Sequence, residues 1–348
     1  MTVKRVGRCG IFFFTLLLVS ACSGVSMVRA PVPSALNPQG VGAARIAELW
    51  WVMLGFGTAI FLLVIVLLFA ALLRGRRGTN TTTPDSSGGD TGRRWPIFGG
   101  VVLPLMVIGI VFGYSIYTLA AIENPQSKPA VKIEIVGRRW WWEVKYPDQG
   151  ITTANEIHIP VGVPVQVQLQ SADVIHSFWV PQLHGKMDLI PTRINDLTLQ
   201  ANQTGVYRGQ CAEFCGLQHA HMGFMVVVQS KEDFNQWLNA QQQPAGALTD
   251  PAALQGQKVF MNAGCVFCHT VQGLNDKEID RSSIDLGPDL THLASRLTIA
   301  GASLTENRGN LAGWVVDAQH VKPGSLMPEM YLNSQDLQNL LAYLETLH

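Results

Sequence analysis

Two short runs of this 348-residue chain concentrate side chains that bind metals or redox groups. Residues 211–222 read Cys-Ala-Glu-Phe-Cys-Gly-Leu-Gln-His-Ala-His-Met. Cys211, Cys215, His219 and Met222 thus bring two thiols, an imidazole and a thioether into one short segment. Thiolate and thioether sulfur with imidazole nitrogen is a soft donor set, which suits copper and not magnesium or calcium. One more ligand is expected from elsewhere, and His176, ending the strand-like run that starts at Asp173, is the candidate. A simple Cys211–Cys215 disulfide is the competing reading, but it would not call for His219 and Met222 at these spacings. The second run is Cys265-Val-Phe-Cys268-His269, the C-x-x-C-H signature of covalent haem attachment. Two thiols reach the two vinyl groups while the adjacent imidazole takes the iron from one face. The opposite face needs a ligand, and Met327 and Met330 lie downstream, with His292 and His320 as weaker rivals. A zinc site built from Cys265, Cys268 and a histidine is the alternative for this motif.

Elements of quite different character must position these groups. Hydrophobic residues make up 47% of the chain and charged residues only 14%, which argues against a disordered protein. The net charge is zero, which removes an electrostatic case for a nucleic-acid partner. The apolar excess is concentrated before residue 123. Residues 1–22 carry Lys4, Arg5 and Arg8, then an apolar run, then Ser20, Ala21 and Cys22. That pattern describes a secretory signal. Its ending resembles a bacterial lipoprotein cleavage box with Cys22 as the lipidated first residue. Residues 49–73 and 95–122 contain no charge, and each run is long enough to cross a bilayer as a helix. Trp50, Trp51 and Trp95 stand at their edges, as interfacial anchors do. A two-helix transmembrane hairpin is expected over 40–125. Its loop 74–94 carries Arg74, Arg76, Arg77, Arg93 and Arg94, which fixes that loop in the cytoplasm. Everything after residue 123 then lies on the outer, periplasmic side of a bacterial inner membrane.

Residues 131–135 and 163–170 alternate apolar and polar with period two, and 197–199, 205–210 and 223–229 are further short runs of strand character. With Gly, Pro and Asn turns between them, they imply a β-sandwich or small barrel over 126–240. The first helical pattern of this part is 231–242. Residues 241–247 read as a linker. Helical patterning resumes over 250–348, with Ser334 as the N-cap of a last helix that buries Leu337, Leu340, Leu341 and Leu344.

The pattern C-x-E-x-C-x-x-x-H-x-x-M, with D-V-x-H-S upstream, resembles the binuclear copper (CuA) site of cytochrome c oxidase subunit II. The resemblance covers about 40–240 and implies two transmembrane helices followed by a cupredoxin-like β-barrel. It implies two coppers bridged by Cys211 and Cys215. One copper would also take His176 and Met222, the other His219 and the backbone carbonyl of Glu213, with His221 a bystander. The Glu213 side chain would face the catalytic subunit and help hold magnesium. Residues 137–142 resemble the aromatic stretch where electrons are received, with Trp140 in the receiving position and Arg139 where the family usually has Gln. The second span lacks the carboxylate many members place at a proton path. The remainder resembles an all-α monohaem cytochrome c. Met327 followed by Pro328 is similar to that family's Met-Pro pair, which favours Met327 as axial ligand, and 287–290 is similar to its loop beneath the haem.

The fused order implies a membrane-anchored subunit of a terminal respiratory oxidase. It would accept electrons from external cytochrome c on its own haem c and pass them through copper to a partner, subunit I, that reduces oxygen to water. Nothing in the chain itself could reduce oxygen. Other oxidase subunits and membrane lipid complete its surroundings, and a copper-containing nitric oxide reductase is the alternative assembly. A quinol-oxidising relative would keep the barrel and lose the copper ligands. A copper-delivery protein would have no use for a covalent haem.

Overall fold

The computed structural model describes residues 33–77, 90–123, 128–274 and 287–348. The expected leader, including Cys22, lies outside them. Helix α1 (Val41–Arg77) is apolar on every side: Phe61, Leu67 and Leu73 are all more than half exposed. A helix with no polar face has lipid as its solvent. Helix α2 (Asp90–Ile97) passes through a π-helical turn, 98–102, into α3 (Leu103–Glu123). The N–H of Leu103 reaches back five residues to Phe98, because Pro104 has no N–H with which to continue the regular ladder. Val41–Gly75 and Arg94–Glu123 are long and apolar enough to cross a membrane. The basic positions expected on a loop fall on helix ends instead, since α1 runs through Arg77 and helix resumes at Asp90.

Ten strands follow as a two-sheet sandwich. They are β1 (Val131–Arg138), β2 (Trp141–Tyr146), β3 (Ile151–Ala154), β4 (Glu156–Pro160), β5 (Val165–Ser171), β6 (His176–Trp179), β7 (Met187–Leu189), β8 (Asn195–Leu199), β9 (Gly205–Cys211) and β10 (Gly223–Gln229). One sheet has the order β3-β2-β1-β5-β8 and the other β4-β10-β9-β6-β7. The pairs β1/β5 and β4/β10 are parallel and the remaining pairs antiparallel. Strand periodicity does what it implies: β1 buries Ile133 and Ile135, and β5 buries Val165, Val167 and Leu169. Trp142, Phe178 and Phe224 fill the end of the core nearest the cysteines, with Phe178 and Phe224 stacked at 4.7 Å. Helix α4 (Lys231–Gln241), capped by Ser230, lays Phe234 and Trp237 against the sandwich.

The last part has its own core, between α5 (Pro251–Asn262), α6 (Arg308–Val316) and α8 (Ser334–Leu344), with the short helix α7 (Ala318–Val321) following α6. A two-residue hairpin, β11 (Thr298–Ile299) and β12 (Leu304–Thr305), interrupts this helical set. Asp250 caps α5 and Pro251 takes its first position, where no N–H is needed. Helices α5 and α8 meet closely at Gly256, where a Cβ would stand 1.9 Å from the carbonyl oxygen of Asn339. The cap of α8 is Asn333 and not Ser334: its side chain accepts from the N–H of Asp336 at 2.8 Å. Leu340, Leu341 and Leu344 are buried and Leu337 packs beside them.

Candidate metal centre and haem cleft

The sulfur cluster is held by ladder ends. Strand β9 closes on Cys211, whose N–H donates to the carbonyl of Met222 at 3.0 Å, immediately before β10 begins. The loop between these two anchors carries Cys215 and His219. Pairing of Phe178 with Cys211 brings β6 alongside, and His176 lies two residues from Phe178 on the same face. The ligand atoms of His176, Cys211 and Cys215 all fall within 4.8 Å of one another. The two sulfurs are 3.7 Å apart, far beyond a disulfide bond. The Sγ of Cys215 is 3.6 Å from Nδ1 of His219 and 3.7 Å from Sδ of Met222. The Sγ of Cys211 is 3.9 Å from Nδ1 of His176 and 3.2 Å from the carbonyl oxygen of Glu213. The Glu213 side chain points to solvent, and the His221 ring is engaged with Gln218 at 2.8 Å, outside the cluster. All six expected metal ligands therefore converge.

Protonation in the cluster follows from this geometry. The close contact of the two thiols lowers Cys211 and raises Cys215, with burial adding to the rise at Cys215. His176 holds Nε2 against Asp173 at 2.8 Å, which leaves Nδ1 aimed at the sulfurs. Burial opposes a charge on either partner of that pair. The hydrogen bonds and charges around them together outweigh it, lowering Asp173 and raising His176. Asp173 also accepts from the N–H groups of Val174 and Arg139, so the carboxylate is anchored before it anchors the ring.

The second site is a cleft open at its mouth. Cys265, Cys268, His269, Met327 and Met330 line it, with Phe260, Leu290, Leu293, Leu340 and Leu344 as apolar walls. The imidazole of His269 keeps Nδ1 on the carbonyl of Pro288 at 2.8 Å. Gly287 allows this approach, because a Cβ there would lie 2.7 Å from the His269 ring. Burial lowers His269 and raises both thiols, Cys265 to about 11. Neither His292 nor His320 lines the cleft. Two buried polar atoms on its wall, Nε of Arg296 and Oγ1 of Thr298, have no partner, so the cleft presents a cation and a hydroxyl to an acidic group within apolar walls.

The sandwich closes one side of this cleft with Arg139, Trp140 and Trp141. Trp140 is only 8% exposed. Its indole N–H donates to the carbonyl of Cys215 at 2.9 Å, so one side chain touches both sites. Asp173 and Pro288 stand in the sequence only inside the D-V-x-H-S motif and the 287–290 loop, with no role of their own. Arg296 and Lys322 carry no sequence signal and depend on tertiary packing.

Comparison with known proteins bears on both halves. Residues 149–230 match the model of the periplasmic domain of cytochrome c oxidase subunit II, and residues 253–348 match that of cytochrome c. A cytochrome c oxidase subunit 2 of Alkalihalophilus pseudofirmus is 29% identical over 348 residues, covering 99% of this chain and 98% of its own. That of Bacillus subtilis is 30% identical over 350 residues, covering 95% and 94%. A quinol oxidase subunit 2 of Bacillus cereus is 33% identical over 226 residues, covering 62% of this chain and 75% of its own.

Proposed function

Because the chain belongs to the cytochrome c oxidase subunit 2 family, we propose that it is the electron-input subunit of a terminal respiratory oxidase, taking electrons from external cytochrome c on its own haem c and delivering them through a binuclear copper centre to a catalytic subunit that reduces oxygen to water. The observation that carries the proposal is the position of Trp140, bonded to the carbonyl of Cys215 while its ring lines the haem cleft.

His176, Cys211, Cys215, His219, Met222 and the Glu213 carbonyl would hold the two coppers. Such a centre supplies one-electron transfer with little change of geometry. The chain's own contribution is rigidity: ladder ends fix Cys211 and Met222, and Asp173 fixes the His176 ring. Cys265 and Cys268 would hold the haem covalently, and His269 and Met327 would hold its iron. Arg296 and Thr298 fit the haem's acidic side chains. Trp140 would receive electrons for the copper centre from the fused haem, since its burial keeps it from an external protein. The exposed Glu213 carboxylate is free to help the catalytic subunit hold magnesium.

The soft ligand set favours this reading over a quinol-oxidising one, which needs no copper in this subunit. Purification of the complex from its native membrane, followed by assays with oxygen and nitric oxide, tests it. Reduced cytochrome c should drive oxygen consumption. Consumption of nitric oxide alone, or turnover with quinol alone, would overturn the proposal.

A further inference from the structure

The cytochrome part is seated directly on the loop that carries the sulfurs. The N–H of Gly223, next to Met222, donates to the carbonyl of Gly301 at 3.0 Å, and Gln218 donates to the carbonyl of Pro323 at 2.8 Å. Into the middle of this seam reaches Lys322, only 4% exposed. Its ammonium donates to the carbonyl of Trp140 at 2.7 Å and to that of Ala300 at 3.3 Å. No carboxylate among the described residues pairs with it. Lysine is almost never buried unpaired, because the interior disfavours an isolated charge. Burial accordingly pulls its pKa down to about 8. A cation held at such cost between two carbonyls, one from each domain, is poorly explained as packing. The seam is also too tight for anything larger, since a Cβ on Gly301, whose φ is +65°, would lie 2.9 Å from the Lys322 nitrogen.

We propose that Lys322 is a positioning residue for electron transfer between the two centres: by pinning the Trp140 carbonyl from the cytochrome side, it holds the indole between the haem cleft and Cys215. The chain of contacts is continuous, from the Lys322 ammonium to the Trp140 carbonyl, and from the Trp140 indole N–H to the Cys215 carbonyl. The inference rests on the functional reading above, and its test separates the two.

The experiment uses the full-length, metal- and haem-loaded chain. In the parent protein, rapid reduction of the haem by a photochemical donor is followed by electron arrival at copper; absence of any copper signal in the parent would sink the functional reading. In Lys322→Met, transfer from haem to copper should fall at least tenfold. The rate of haem reduction and both absorption spectra should stay at parental values, a split that general loosening of the fold would not give. Unchanged transfer overturns the proposal. A second measurement needs no variant and no metal. An amine-reactive reagent applied to the native parent should modify exposed Lys186, Lys231 and Lys258 and spare Lys322. Modification of Lys322 as fast as those three would show that the seam does not exist, and would overturn the proposal too.

Discussion

Replacing Gly256 by alanine adds one methyl group where α5 crosses α8. That methyl would stand 1.9 Å from the Asn339 carbonyl oxygen, 2.6 Å from its carbon and 2.8 Å from Cβ of Tyr343. Ordinary carbon–oxygen contact begins at about 3.3 Å, so the helices must part by roughly 1.4 Å. The obstacle is backbone and cannot rotate away. The cost should therefore reach the upper end of the overpacking range, about 3 kcal/mol. Alanine recovers about 1 kcal/mol through its better helix propensity. The net loss of about 2 kcal/mol lowers the folded-to-unfolded ratio about 30-fold. Urea unfolding of the cytochrome domain, followed at the haem absorption band, should show a midpoint lower by about 1 M. Leu340 and Leu344 of α8 wall the haem cleft, so the haem spectrum should broaden as well. Gly313→Ala is the control. Gly313 is exposed within α6 with nothing within 4 Å of its added Cβ, and it should gain up to about 1 kcal/mol. Equal midpoints for the parent and Gly256→Ala would refute the close crossing and the helix placement derived from it.

Met222→Leu should alter the copper absorption and leave the haem spectrum untouched; an unaltered copper signal removes Met222 from the ligand set. Met327→Ala should abolish the thioether–iron band while Met330→Ala retains it, and the opposite pattern transfers the axial role to Met330. Lys322 is lowered from 10.5 to about 8 by burial, so between these pH values the unfolded chain binds the extra proton. The stability of the parent relative to Lys322→Met should therefore rise by about 3 kcal/mol as pH climbs from about 8 to about 10.5. A pH-independent difference in unfolding midpoints would contradict the burial of that ammonium.

The two sites differ from their surroundings in how far sequence reveals them. Cys211, Cys215, His219 and Met222 lie on one loop between two strands, and Cys265, Cys268 and His269 are contiguous, so local spacing carried their chemistry. Trp140 was recognisable only as part of an aromatic stretch; its burial depends on a domain nearly two hundred residues downstream. The same is true of Lys322, whose surrounding residues read as a methionine-bearing loop. Strand β4 reads Glu-Ile-His-Ile-Pro, an alternating run, yet all five residues are buried, because Trp237 of α4 stacks on His158 and His158 in turn engages Glu156. The α8 cap was displaced by one because Asn333 and Ser334 are both good capping residues. The spacing to Asp336 favoured Asn333: an acidic residue three positions after the cap completes a capping pair. Arg296 and Thr298 became visible only through their unpartnered atoms on the cleft wall.

Metal and haem analysis of the undamaged full-length chain, purified from its membrane, tests the central claim most directly. The account requires about two copper atoms for each covalently attached haem iron. Iron found without copper in a chain whose Cys211 and Cys215 remain intact would contradict it.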